Sequence, residues 1–179
     1  MRGDFLFKII LAGSGGCGKT TLMTRYTTGA FTSNTKMTIG VDFAIHHLKL
    51  PGVGKITLQI WDFGGEERFR EMLPSFCLGA SGCLLFFDLL RPHTFHELDE
   101  WIKIIRDNTN DIPIILLGTK YDLIESEEEI SISQDLIDEF MKNNNIKQFL
   151  YVSSKTGLNV KESFEGLSKL MLETQNPPK

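Results

Sequence analysis

The sequence predicts an α/β fold with a mostly parallel sheet, and three observations carry that reading. Short apolar runs of strand length alternate with amphipathic stretches of helix length. One such run ends in a glycine-rich loop that opens a helix. A single "PGVG" turn joins two neighbouring strand-like segments as a hairpin, which adds one antiparallel edge.

Taken in order, "FLFKIILA" (5–12) is a nearly continuous apolar run ending at glycines, the pattern of a strand buried on both faces. "KTTLMTRYTTG" reads as a helix that stops near Gly29. "VDFAIHHLKL" and "KITLQIWD" flank the hairpin turn, and "CLLFFDLL" is a second buried strand. Between Pro92 and Asn108, the residues Phe95, Leu98, Ile102 and Ile105 recur three and four apart, on one face of a helix. "IPIILLG" is another strand. A helix is expected to start near Ser131, with Gln134 completing a capping box. "QFLYVSS" is a short strand. The last helix is expected to open at Asn159, with Glu162 three residues on, and to bury Val160, Phe164, Leu167 and Met171.

The bulk numbers narrow the function classes. At 179 residues, the chain suits one domain over 1–179, with a flexible tail from about 174. It is 41% hydrophobic and 23% charged, near the averages for a globular protein. A net charge of -4 argues against nonspecific nucleic-acid binding, which calls for a basic face. No apolar run approaches the roughly 20 residues of a spanning helix. The opening "MRGDFLFKIILAG" runs into a glycine loop rather than a small-residue cleavage site. Cys17, Cys77 and Cys83 form no disulfide framework and no metal-ligand pair, which suits reduced thiols in the cytoplasm. "ESEEEIS" (125–131) reads as a solvated loop.

"GSGGCGKT" spans Gly13, Ser14, Gly15, Gly16, Cys17, Gly18, Lys19 and Thr20, follows the first strand, and fits G-x-x-x-x-G-K-[ST]. Glycines let the backbone wrap with its N–H groups inward, making a concave nest for phosphate oxygens. The helix N-terminus adds partial positive charge. Lys19 is placed to reach the β- and γ-phosphates and Thr20 to bind Mg²⁺, with Thr21 beside them. The loop by itself implies a nucleoside triphosphate and does not choose the base.

Four further segments appear in order at strand ends or after the first helix: "TIG" (38–40), "DFGG" (62–65), "TKYD" (119–122) and "SSK" (153–155). With the loop, they resemble the small GTPases of the Ras superfamily. "TIGVDF", "LQIWD", "ERFR" and "SSKTGLNVKESF" are most similar to the Rab branch. The resemblance covers essentially the whole chain and implies a P-loop NTPase G domain, a six-stranded sheet with five helices. It implies GTP, GDP and Mg²⁺ as ligands, bound outside the carboxyl ends of the strands. It implies that Asp122 sets base choice by accepting from guanine N1 and N2, and that Lys120 lays its stem on the base, opposite Lys155. Ser154 would offer its backbone N–H to the guanine oxygen, with Ser153 beside it. Phe31 stands where the family packs an aromatic edge on the purine; its other reading is a core phenylalanine. Thr119 replaces the asparagine most members carry. Thr38 would complete the Mg²⁺ shell and sense the γ-phosphate, Gly65 would do likewise through its N–H, and Asp62 would act through a metal-bound water.

Glu66 falls where the family uses a glutamine to orient the attacking water. Glutamine can accept from water and donate to the transferring group. An ionised glutamate only accepts and adds negative charge beside a triphosphate, yet it is the stronger base. Two readings therefore stand: a slow GTPase switch with Glu66, Lys19 and Gly65 as its catalytic groups, or a module that holds GTP with negligible hydrolysis. A P-loop kinase or ATPase is disfavoured by "TKYD". Gly64 is expected to add backbone freedom before the second switch, and nothing in the sequence explains Phe63. Trp61 lies on the polar face of its strand, and with Phe43 and Phe76 it matches the aromatic triad that Rab proteins present to effectors. Exchange factors and GTPase-activating proteins are the other partners implied. No lipidation motif closes the chain, whose last cysteine is Cys83, so the expected location is cytoplasmic, and membrane-peripheral if a lipidated tail has been lost.

Overall fold

The computed structural model describes residues 4–33, 37–65 and 67–175. Glu66 and the end of the tail, from 176, lie outside the described residues. Phe5–Gly13 forms β1, and Lys19–Thr28 forms α1, which closes at Gly29 in the left-handed conformation. Val41–Leu50 (β2) and Gly54–Phe63 (β3) make the hairpin. Then follow α2 (Glu67–Arg70), α3 (Leu73–Cys77), β4 (Gly82–Asp88), α4 (His93–His96), α5 (Leu98–Asp107) and β5 (Ile114–Thr119). The chain continues with α6 (Gln134–Asn143), β6 (Gln148–Tyr151) and α7 (Val160–Gln175). The six strands run β2-β3-β1-β4-β5-β6, with β2 antiparallel to β3 and every other pair parallel. Among the described residues, the helices fall into five segments, two of them broken: α2 with α3, and α4 with α5.

Alternation along the strands splits the core in two. Ile10, Cys83, Leu85, Phe87, Ile114 and Leu116 face a layer made by α3, α4, α5 and α6, with Trp101 and Ile105 at its centre. Phe7, Ile9, Leu11, Leu84, Phe86 and Leu117 face α1 and α7. The spacing of Phe95, Leu98, Ile102 and Ile105 and of Val160, Phe164, Leu167 and Met171 is borne out, since all eight are buried.

Two expectations need correction. β1 is not buried on both faces along its length: Leu6, near its start, is 62% exposed. α6 starts two residues late, with Ser133 rather than Ser131 as the cap; its hydroxyl accepts from the Leu136 N–H at 3.4 Å. α7 opens after Asn159 as expected: the Asn159 carbonyl accepts from the Ser163 N–H at 3.1 Å, while its side-chain amide donates to the Tyr151 carbonyl at 2.8 Å.

Between α1, β2 and α7, the Tyr26 ring stacks on Phe164 at 3.9 Å and meets His46 at 4.4 Å. Burial, then repulsion from His47, pushes the His46 pKa below its ordinary 6.5. The unfolded chain therefore takes up this proton more readily than the folded one, so His46 favours folding above pH 6.5 and loses that contribution as pH falls through its lowered value. The expected outcome is that denaturant titrations at pH 7 and pH 5 show a smaller acid loss of stability in His46→Gln than in the native protein.

Candidate functional site

The buried polar groups collect at one edge of the sheet. Asp62 ends β3, Asp88 ends β4, Thr119 ends β5, Ser153 follows β6, and Lys19 lies just beyond β1; all are 5% exposed or less. Because β1, β3, β4, β5 and β6 run parallel, these are carboxyl ends, the edge where such sheets bind ligands. β2 begins at the same edge, three residues after Thr38.

The turn out of β1 is possible only for glycine. Gly13 adopts φ 138°, and a Cβ there would stand 2.4 Å from the Phe86 carbonyl oxygen. Gly16 and Gly18 also have positive φ and shape the loop into α1. The Lys19 ammonium folds back over the loop and donates to the carbonyls of Gly13 (2.7 Å) and Ser14 (3.1 Å). Burial lowers its pKa, while Asp62 opposes that shift by favouring the charged form. Gly15, Gly16, Thr20, Thr38 and Gly65 line the cavity of about 70 Å³ beside it.

Next to the ammonium, three oxygens converge. Thr38 and Thr20 hydroxyls lie 2.6 Å apart, and Thr20 donates to Asp62 Oδ2. Asp62 Oδ1 is buried with no hydrogen-bond partner among the described residues. Burial raises the Asp62 pKa to about 6, with the Thr20 hydrogen bond and Lys19 pulling it back down. Two hydroxyls and an orphaned carboxylate oxygen form a hard-oxygen set of the kind Mg²⁺ accepts. No group of three or more acidic, histidine or cysteine side chains among the described residues could hold a metal by itself. Such an ion would therefore draw its remaining oxygens from water and phosphate.

A second cavity of about 440 Å³ adjoins the loop, sharing Gly16, Gly18 and Thr21 with the first. Phe31, Thr119, Lys120, Asp122, Ser154 and Lys155 form its other walls. Asp122 accepts from the Ser153 hydroxyl at 2.6 Å, which fixes one carboxylate oxygen and leaves the other to the cavity. Phe31 is 39% exposed, so its core reading fails. Thr119 turns its hydroxyl away, to the Phe87 carbonyl at 3.0 Å. The Cys17 thiol is fully buried, and burial raises its pKa.

The second loop lies directly on the first. Gly15 N–H donates to the Gly65 carbonyl at 3.1 Å, and Gly64 N–H donates to the Gly40 carbonyl at 2.8 Å. The expectation that Gly64 adds backbone freedom is corrected: a Cβ there would stand 2.6 Å from both the Phe69 ring and the Thr38 carbonyl, so its role is close approach. Phe63 is a core residue, 5.1 Å from the Phe76 ring. Phe76 also meets Trp61 at 5.6 Å, and Trp61 meets Phe43 at 5.1 Å, so the three expected aromatics form one cluster.

The model of the Ras family matches residues 8–173. The chain belongs to the Ras family. Among curated proteins, it is similar to the Ras-related protein Rab-8B of Dictyostelium discoideum, 39% identical over 98% of this chain and 86% of that one. It is 38% identical to the Ras-related protein RAB1BV of Beta vulgaris, over 93% of this chain and 76% of that one. It is 35% identical to the Ras-related protein Rab-8B of Homo sapiens, over 97% and 82% of the two chains. The chain is thus a Rab-like small GTPase with the six-stranded mixed sheet of its family.

Sequence reasoning passed over Asp88, Arg91 and Glu97. Glu97 accepts from the Ser14 hydroxyl and, at 3.2 Å, from Arg70 of α2. The signal for Asp88 was present: an aspartate closing the apolar run "CLLFFD" needs a buried partner.

A Cβ on Gly65 would stand 2.3 Å from Gly15 N, a backbone clash that only separation of the two loops relieves. Gly65→Ala is expected to break the Gly15–Gly65 hydrogen bond. The amide of Gly15 should then exchange with solvent roughly fivefold faster, as for a loss of about 1 kcal/mol; amide exchange followed by NMR checks this.

Proposed function

We propose that this small GTPase binds GTP and GDP with Mg²⁺, hydrolyses GTP slowly, and alters its affinity for protein partners through the two loops at 38–40 and 62–65. The observation that carries the reading is the pair of adjoining cavities, one around a buried ammonium and one around an oriented carboxylate. The first is sized and charged for phosphate. The second is floored by Asp122, Lys120 and Thr119 and walled by Phe31, Ser154 and Lys155.

In this reading the loop backbone and Lys19 bind the β- and γ-phosphates. Lys19 is held in place by the Gly13 and Ser14 carbonyls, so its charge is oriented before substrate arrives. Thr20 and Thr38 would hold Mg²⁺ through their hydroxyls and Asp62 through a metal-bound water, and the ion would offset phosphate charge. Asp122, turned by Ser153, accepts from guanine N1 and N2, an interaction adenine cannot return. Glu66, which follows the Gly65 that rests on the phosphate loop, positions the attacking water. Thr38 and Gly65 sense the γ-phosphate, and its loss releases both loops. Effectors engage Phe43, Trp61 and Phe76, while exchange factors and activators act on the same loops. A cytoplasmic location suits this role, and no helix among the described residues is long and apolar enough to cross a membrane.

Glu66 in place of glutamine favours a second reading, a module that holds GTP without turning it over. Single-turnover phosphate release from protein loaded with GTP and Mg²⁺ separates the two. Release is expected from the native protein, and an arginine-finger activator is expected to accelerate the Glu66→Gln variant alone. Release from Glu66→Gln with none from the native chain would establish the holding module instead. For base choice, Asp122→Ala is expected to lose the preference for GDP over ADP, read by competition against fluorescent GDP. An unchanged preference would remove Asp122 from that role.

A further inference from the structure

The charge at the end of β4 sits between the two cavities and belongs to neither motif. Asp88 is 1% exposed. Its Oδ2 accepts from the Lys120 ammonium at 2.7 Å and from Arg91 Nε at 2.8 Å, and its Oδ1 accepts from the Leu90 N–H at 3.0 Å. Burial alone would raise its pKa, but the Lys120 and Arg91 hydrogen bonds outweigh that and hold it below the usual carboxylate range. The same Arg91 guanidinium reaches the phosphate loop, donating to the Gly15 carbonyl at 3.0 Å and lying 3.8 Å from Cys17 Sγ. The rigid planar guanidinium presents separate N–H groups to partners on two different elements at once.

The line of contacts therefore runs Gly15, Arg91, Asp88, Lys120. Lys120 takes a left-handed backbone conformation, φ 63°, which a side-chain-bearing residue adopts at a cost and holds where its surroundings fix it. Its ion pair with Asp88 is such a fixture. Thr119, its neighbour, is committed across the sheet to the Phe87 carbonyl. The turn of Arg91 is itself braced, since Thr94 donates to the Arg91 carbonyl at 2.7 Å and accepts from the Asp88 N–H at 2.9 Å. A bare salt bridge stabilising the β4 end would not need the guanidinium to extend to the loop.

We propose that Asp88 and Arg91 are positioning residues that tie the base turn to the phosphate loop, so that contact with the guanine and contact with the diphosphate reinforce each other. The proposal deepens the nucleotide reading above and rests on it. Among the described residues the side-chain hydrogen bonds of Arg91 run to Asp88, Gly15 and Cys17, none of them in the base turn, so an effect of Arg91 on base choice is expected to pass through Asp88.

The test measures release of fluorescent GDP, and the preference for GDP over inosine diphosphate, in the native protein, Arg91→Ala, Asp88→Asn and the double variant. Arg91→Ala is expected to speed GDP release by about tenfold and to lower the base preference by roughly threefold or more, and the double variant should exceed Asp88→Asn by less than about twofold. Release by Arg91→Ala within twofold of native, an unchanged base preference, or fold-changes that multiply in the double variant would each overturn the proposal. Should Asp88→Asn fail to fold, Arg91→Ala alone still decides, because Arg91 is 36% exposed and outside the core. A native protein that retains no GDP would overturn the nucleotide reading and this one together. Tight native binding with an unaffected Arg91→Ala would overturn this one alone.

Discussion

Placing a lysine ammonium inside the protein at the end of a central strand requires that water be replaced on every side. Lys19 meets that requirement with the Gly13 and Ser14 carbonyls and the nearby charge of Asp62. Those carbonyls are available only because the chain leaves β1 along a path that brings Gly13 against the Phe86 carbonyl, where no side chain fits. The loop geometry, the orientation of the first turn of α1 and the position of Thr20 follow from that one path. Thr20 in turn meets Asp62 and Thr38, so strands β1, β3 and the segment before β2 converge on a single buried cation.

Around this point the protein separates charge from core with little overlap. Apolar residues fill both layers from the middle of the sheet, while the buried charged side chains Lys19, Asp62 and Asp88 sit at or just beyond the strand ends. Asp88 has two cations, Asp122 has the Ser153 hydroxyl, and Ser14 is tied to Glu97. Asp62 Oδ1 stands apart among these, buried and unpaired. An unpaired carboxylate oxygen where two hydroxyls also converge is what gives the metal reading its physical content.

Much of this was legible in the sequence because the signals are local. The strand-loop-helix around Lys19, the period of Phe164, Leu167 and Met171, and the alternation that sets Trp61 apart from Ile60 are all written within a few residues. What escaped depended on contacts between distant segments. Gly64 is small because Phe69 and the Thr38 carbonyl crowd it, and Phe63 is large because the layer beneath Phe76 has room for it. The exposure of Leu6 is set by what packs over the start of β1, which the apolar run itself does not record. Arg91 looks like any surface arginine until Asp88, Gly15 and Lys120 are brought to it.

The hairpin of β2 and β3 is the one antiparallel pair in the sheet, and it behaves as a two-stranded ribbon fixed along one side to β1. Phe43 lies directly across from Trp61, and Asp42 from Asp62. Thr38 is three residues before the ribbon starts, and Asp62 is the residue next to Trp61. A load applied to the aromatic pair is therefore carried, over a distance of one to five residues, to both protein oxygens that flank Thr20. The far end of the ribbon is clamped instead by the core, where Leu48 and Leu50 are buried and Val53 packs beside them, so the ribbon is a beam held at its turn and loaded at the end that bears Thr20's partners.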